Sequence, residues 1–287
     1  GILACLLAFS VASNFVSGSA YIHSWEDQQE FWQQFVTRVP ALEPGTVVIT
    51  PELPPDFMSD LSYMMTLNWL YDTDPDEAGL DYGLFFGDTR DMFADIEPGM
   101  PIIYDRRMIT LESSTDHVLV VGFSRNYCLY VFDSETANLN PNSRHVDPQV
   151  VQYSDQDRID LSVDHFDNWM AFFDPIEPDN WCYYYELGEL ELQRGNYAEV
   201  ARIGDLAFAG EEIPRRSWER APFIEGYGFV ERWDEAIVLT AEAMSYNFRA
   251  EELLCSTWDR LESQAPDSEG KQFALMQVSS ILNCGNR

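Results

Sequence analysis

Residues 1–20 (GILACLLAFSVASNFVSGSA) are almost entirely apolar or small, and the chain beyond them is strongly acidic. An apolar run favours hydrocarbon, whereas an acidic remainder stays in water. The chain therefore reads as the end of a transmembrane helix carrying an aqueous domain. A span needs about 20 predominantly apolar residues, and Ser10, Ser13 and Asn14 weaken the second half of this one. The expectation is that the chain begins inside the last transmembrane helix of a longer protein. A secretory signal peptide is the alternative, since Ser17, Gly18, Ser19 and Ala20 resemble a cleavage site, but the positively charged leader is missing. Ile2, Leu3 and Ala4 before Cys5 have the order of a lipoprotein site without the apolar stretch that precedes one. Glu26, Asp27 and Glu30 come before the first basic residue, Arg38. Short cytoplasmic flanks collect Lys and Arg, so this flank is expected outside.

The formal net charge is -32, and Lys271 is the only lysine. Such a chain repels nucleic acid and anionic lipid alike, because both are bound through Lys and Arg. A cationic partner or a merely solvated surface remains. With 46% hydrophobic and 14% aromatic residues there is core material for about two domains. The five cysteines, Cys5, Cys128, Cys182, Cys255 and Cys284, include no CxxC, which argues against a zinc ribbon or a thioredoxin-like site. Excluding Cys5, four remain, and an oxidising compartment permits any of their three pairings.

An amphipathic helix is expected over 21–39, with Trp25, Trp32, Phe35 or Val36, and Val39 near one face and Pro40 as its stop. Thr46–Thr50 (TVVIT) is a β-branched buried strand, and Ser59–Tyr71 a second helix. Residues 82–86, 101–111, 117–123 and 128–133 have strand composition. This order gives an α+β or α/β domain with a mixed sheet over 40–135, ending in an antiparallel meander. Residues 136–179, rich in Asn, Asp, Pro and Ser, read as a linker wrapping the domains.

An all-α domain of helical hairpins is expected over 180–287. Trp181, Tyr184, Tyr185, Gly188 and Leu192 share one face, and Tyr197, Val200, Ala201, Gly204, Ala207 and Phe208 the facing one. Phe223, Ile224, Tyr227 and Val230 against Trp233, Ala236, Ile237 and Thr240 repeat the arrangement, and 250–263 against 271–283 forms a third hairpin. Tyr197 and Trp233 are 36 residues apart, close to the period of tetratricopeptide repeats. Leu187, Gly188, Gly195 and Tyr197 match that signature, while Glu191 and Val200 depart from it. The third hairpin would bring Cys255 and Cys284 side by side for a disulfide, against the alternative of two separately buried thiols. Cys128 with Cys182 is the second pairing, and would join the two domains.

The segments FWQQFVTRVPALEPGT (31–46), LNWLY (67–71), CLYVFD (128–133), WCYYYELGELELQRGNY (181–197) and PFIEGY (222–227) resemble the exterior C-terminal tail of large multi-spanning bacterial membrane proteins of unassigned function. The likeness covers most of residues 20–262. Their membrane part is similar to glycosyltransferases that use lipid-phosphate sugars, with active-site carboxylates in loops between early membrane helices. The resemblance thus implies a topology and carries no catalytic residue onto this chain.

Asp72, Asp74 and Asp76, at alternate positions of a loop, are the metal candidates, for calcium. Glu77 stands where the EF-hand loop needs Gly, Pro75 stiffens it, and Gly83 occupies the position of the bidentate Glu, so an acidic surface loop is the competing reading. Asp155, Asp157, Asp160 and Asp164 form a weaker series. His23, His117, His145 and His165 have no zinc spacing, and Ser113, Ser114, Asp116 and His117 lack a nucleophile elbow. Trp181, Tyr183, Tyr184 and Tyr185 would suit sugar stacking, but helical spacing assigns all but Tyr183 to packing. Three functions follow as expectations: an exterior, non-catalytic domain binding an envelope glycan or protein, an accessory domain of a membrane glycosyltransferase, or a calcium-dependent surface module. The partner common to the first two is the upstream membrane domain.

Overall fold

The computed structural model describes residues 1–50, 59–71, 79–86, 97–106, 109–123, 127–134, 148–163, 180–210, 214, 216–246 and 250–285. The expected membrane segment and amphipathic helix are one element, α1 (Ile2–Arg38), without a break between them. Nothing in residues 19–24 demands one, since neither Pro nor a left-handed Gly intervenes. Residues 1–18 are exposed throughout, whereas Phe31, Trp32, Phe35 and Val36 are buried. Trp25, expected on the packed face, is instead 59% exposed.

The sheet has the order β2-β1-β5-β6, where β1 is Val47–Thr50, β2 Gly83–Phe86, β5 Val118–Gly122 and β6 Tyr130–Val131. β1 runs parallel to both β2 and β5, and β6 closes the edge antiparallel. A helix, α2 (Asp60–Tyr71), makes the crossover from β1 to β2, as parallel neighbours require. The single strand expected over 101–111 is a hairpin, β3 (Pro101–Arg106) with β4 (Ile109–Ser114), paired apart from the main sheet. The sheet is mixed, as expected, and of the expected closing meander only the β5–β6 pair belongs to it, the β3–β4 hairpin pairing apart.

Alternate residues of the parallel strands face opposite ways. Val48, Leu84, Leu119 and Val121 meet α1 and α2 in a core with Phe31, Phe35, Tyr63 and Leu67. Val47, Ile49, Phe85, Val118 and Val120 meet Ile102 and Leu111 of the hairpin and Val151 of a short helix, α3 (Pro148–Val151). This second core continues without interruption into the C-terminal helices. Within the expected linker only residues 148–163 are described, and there Val150, Val151 and Ile159 are core residues, while the Ser154 hydroxyl donates to the Phe132 carbonyl at 2.7 Å and accepts from the Val120 amide at 2.9 Å.

Among the described residues, six α-helices follow: α4 (Trp181–Gln193), α5 (Tyr197–Ala209), α6 (Ala221–Phe229), α7 (Trp233–Tyr246), α8 (Glu251–Gln264) and α9 (Glu269–Val278). Asn180 caps α4, its side chain accepting from the Cys182 amide at 2.9 Å. The turns after α4 and α6 are the same turn repeated 36 residues apart. Gly195 (φ 73°) and Glu231 (φ 62°) are both left-handed, and the Asn196 and Arg232 amides reach back to the Glu191 and Tyr227 carbonyls, both at 2.9 Å. The expected close approach also holds, with a different occupant. A Cβ on Gly188 or Gly204 would lie within about 3 Å of the Phe223 ring, so α6 packs into the gaps that the small residues of α4 and α5 leave.

Disulfides join Cys128 to Cys182 and Cys255 to Cys284, with Cα separations of 5.0 and 5.6 Å. The first links the β6 edge of the sheet to the start of α4. The second ties α8 to the chain after α9.

Candidate functional site

α1 ends inside the molecule. Arg38 is 1% exposed, and its guanidinium donates to Gln193 Oε1 at 2.9 Å, while Gln193 Nε2 donates to the Gln156 carbonyl at 3.0 Å. One contact chain thus joins α1, the last turn of α4 and the wrapping segment. Arg38 is also in the electrostatic range of Glu186 and Glu189 on α4. Burial lowers the Arg38 pKa, an effect those carboxylates oppose.

Beside this charge a cleft of about 280 Å³ opens between the sheet and the helices. Its walls come from both parts: Tyr130, Phe132 and Asp133 at the sheet edge, Tyr185 and Glu189 on α4, Trp218 before α6, Glu225 on α6, and Thr257 and Arg260 on α8. Arg260 grips the buried Glu225 through Nε at 3.1 and 3.2 Å and through Nη2 at 2.5 Å, the two-toothed pairing that suits guanidinium and carboxylate. Glu219, below Trp218, accepts from Trp181 Nε1 at 2.8 Å and from the Arg216 amide at 3.1 Å.

Glu186 differs from these. It is fully buried, and neither carboxylate oxygen has a hydrogen-bond partner. Burial pushes its pKa well above the ordinary carboxylate range, with Arg38 pulling the other way and Glu189 and Glu219 adding to the rise. Glu189 is shifted in the same direction, again chiefly by burial. The Tyr185 hydroxyl, buried beside both, is pushed well above its usual range. Chemically the cleft offers carboxylates and aromatic faces, and Arg260, the guanidinium among its described lining residues, is engaged by Glu225.

Of these residues the sequence marks only Trp181 and Tyr185, weighed for sugar stacking and assigned to packing, although a signal for the acidic ones exists. Tyr185, Gly188 and Leu192 mark the packing face of α4, and Glu189, four residues after Tyr185, falls on that same face. An acidic residue inside an apolar stripe is the anomaly.

The sequence-derived candidates lie elsewhere. Asp72, Asp74 and Asp76 fall outside the described residues, as does Asp164. Asp155 and Asp160 fasten local turns, accepting from the Asp157 and Ser162 amides at 2.9 and 2.8 Å. Among the described residues no three His, Cys, Asp or Glu side chains are grouped to hold a metal ion. Ser113 donates to the Gly45 carbonyl, Ser114 accepts from the Asp116 amide, and Asp116 accepts from the Gly99 amide, so this group ties loops together. Trp181 and Tyr185 are buried in packing, while Tyr183 and Tyr184 are half-buried against one another. Comparison of the chain with protein-family models, with curated proteins and with solved structures gives no match.

Proposed function

We propose that the chain is a non-catalytic interaction domain fixed to the exterior face of a bacterial membrane by α1, engaging an envelope component and the membrane part of its own protein. The carrying observation is that one 37-residue helix is solvent-facing and apolar at its start and woven into the core at its end. At 1.5 Å per residue, its first 20 or so residues cover about 30 Å, the thickness of the hydrocarbon core. The helix is long and apolar enough to cross a membrane. Tyr21 and Trp25, exposed at 57% and 59%, follow where interfacial aromatics anchor a span. A continuous helix also fixes the height and tilt of the domain, which a flexible tether would not.

The two disulfides suit an oxidising exterior. The repeated turn at Gly195 and Glu231 supports tetratricopeptide-like hairpins, an architecture that presents binding faces. In intact cells of a bacterial host expressing the chain, externally added protease should digest residues beyond 21. Digestion only after the cytoplasm is opened would overturn the assignment.

A further inference from the structure

We propose that the apolar half of α1 presents one polar face, formed by Ser10, Ser13, Asn14 and Ser17, to a transmembrane helix of its own protein that ends at the exterior surface beneath the domain. The proposal rests on the membrane reading above and names the surface through which the membrane part is engaged.

Ser10, Ser13, Asn14 and Ser17 are the hydroxyl and amide side chains of residues 2–18. Their spacing of i, i+3, i+4 and i+7 gathers them within about 100° of the helix circumference, with Ala8 and Phe15 on the opposite side. Asn14 donates one amide hydrogen to the Ser10 carbonyl at 2.8 Å. An amide carries a second donor hydrogen and two acceptor lone pairs. Hydrocarbon serves none of these, so a hydrogen-bonding neighbour recovers free energy that a lone span forfeits.

The direction of the face selects the neighbour. Eighteen residues make five helical turns, so side chains eighteen places apart point the same way. Those above Ser10, Ser13, Asn14 and Ser17 are Gln28, Phe31, Trp32 and Phe35, all four buried in the domain on the same unbroken helix. The polar face therefore lies directly beneath the domain. Phe31 and Trp32 meet Tyr63 of α2 at centroid distances of 6.0 and 5.7 Å, and Phe31 meets Phe123 at 5.3 Å. Packed helices stand about 8 to 10 Å apart, so a second α1 set parallel against this face would run up into the space that α2 fills. Its own domain, borne on the matching side, would be driven into the first. Two copies are thus excluded from pairing here in parallel. A helix that stops at the membrane surface fits, and in the reading above it belongs to the membrane part of the same protein.

The test is energy transfer in phosphatidylcholine vesicles. The full chain carries a donor dye on Cys5, its free thiol, and the probe is a synthetic peptide of residues 1–23 with an acceptor dye on the same residue. That peptide has the polar face and no exterior continuation. Transfer from chain to peptide should saturate above the level of random mixing, while transfer between differently labelled copies of the chain should stay at that level. Asn14→Leu in the chain should weaken peptide binding at least about fivefold, and Phe15→Leu, on the opposite side, should leave it unchanged. Random-level transfer to the peptide, or equal effects of the two substitutions, would overturn the proposal. Copies of the chain that associate as tightly as chain and peptide would overturn it in favour of a second copy. Insertion is read separately, as retention of the chain by vesicles washed in alkaline carbonate. A retained chain that ignores the peptide defeats this proposal alone, and a chain that washes off defeats the membrane assignment with it.

Discussion

The two faces of the sheet bury polar groups on opposite terms. On the side of α1 and α2, the rings of Phe31, Trp32, Phe35 and Tyr63 interlock at centroid distances of 5.0 to 6.0 Å. The buried amide of Asn68 is used at both ends there. Its Nδ2 donates to the Met64 and Tyr82 carbonyls, both at 2.7 Å, and its Oδ1 accepts from the Asp81 and Tyr82 amides at 2.9 and 3.0 Å. On the other side, where the sheet meets the helices, Glu186 is buried with neither oxygen bonded and Arg38 shares its surroundings with two carboxylates. The first face is arranged for stability. The second retains charge at a cost to stability, and that asymmetry is why the cleft beside it, rather than the larger aromatic core, is the candidate site.

The largest expected effect breaks the first face. Phe31 is fully buried and in ring contact with Trp32, Phe35, Tyr63 and Phe123. Phe31→Ala should cost about 4 kcal/mol through lost burial and the cavity left behind. Urea unfolding followed by tryptophan fluorescence reads this directly, and a loss below about 1 kcal/mol would show that α1 does not key the domain. Asn68→Ala comes next. It removes the acceptor of two amides and the donor to two carbonyls at the joint between α2 and β2, for an expected loss of about 3 kcal/mol in the same measurement.

How far the sequence carried depended on whether the deciding contacts were local. The TVVIT run, the helix ending at Tyr71 and the helical hairpins follow from period and punctuation, which lie within a few residues of one another. The split of 101–111 into a hairpin was hidden because Asp105, Arg106, Arg107 and Met108 include neither Gly, Pro nor Asn to mark a turn. Continuity of α1 was hidden by a change in composition near residue 20 that alters the surroundings of the helix, not its backbone. The cleft was harder still. Its walls come from residues 130 to 260 of the chain, and only their meeting in space makes Glu189, Glu225 and Arg260 a group. With 49 acidic residues, charge by itself marked none of them.

The smallest expected effect is of opposite sign and sharpens the comparison most. Glu186 holds its proton to a higher pH in the folded chain than in the unfolded one, whose ordinary value is near 4.5, and burial is the main cause. Between those two values the folded chain binds the extra proton, so the contribution of Glu186 to stability is full below about pH 4.5 and falls as pH rises. Glu186→Gln removes the ionisation and keeps the shape. The variant should match the parent near pH 4 and melt above it at pH 8. Arg38 supplies the competing outcome. If the Glu186 carboxylate were instead ionised as its partner, glutamine would leave the buried guanidinium short of a counter-charge. The variant would then melt below the parent at pH 8, and the contrast between the two faces would fail. A scan of melting temperature from pH 4 to pH 8 on both proteins separates the two by the sign of the difference at the upper end.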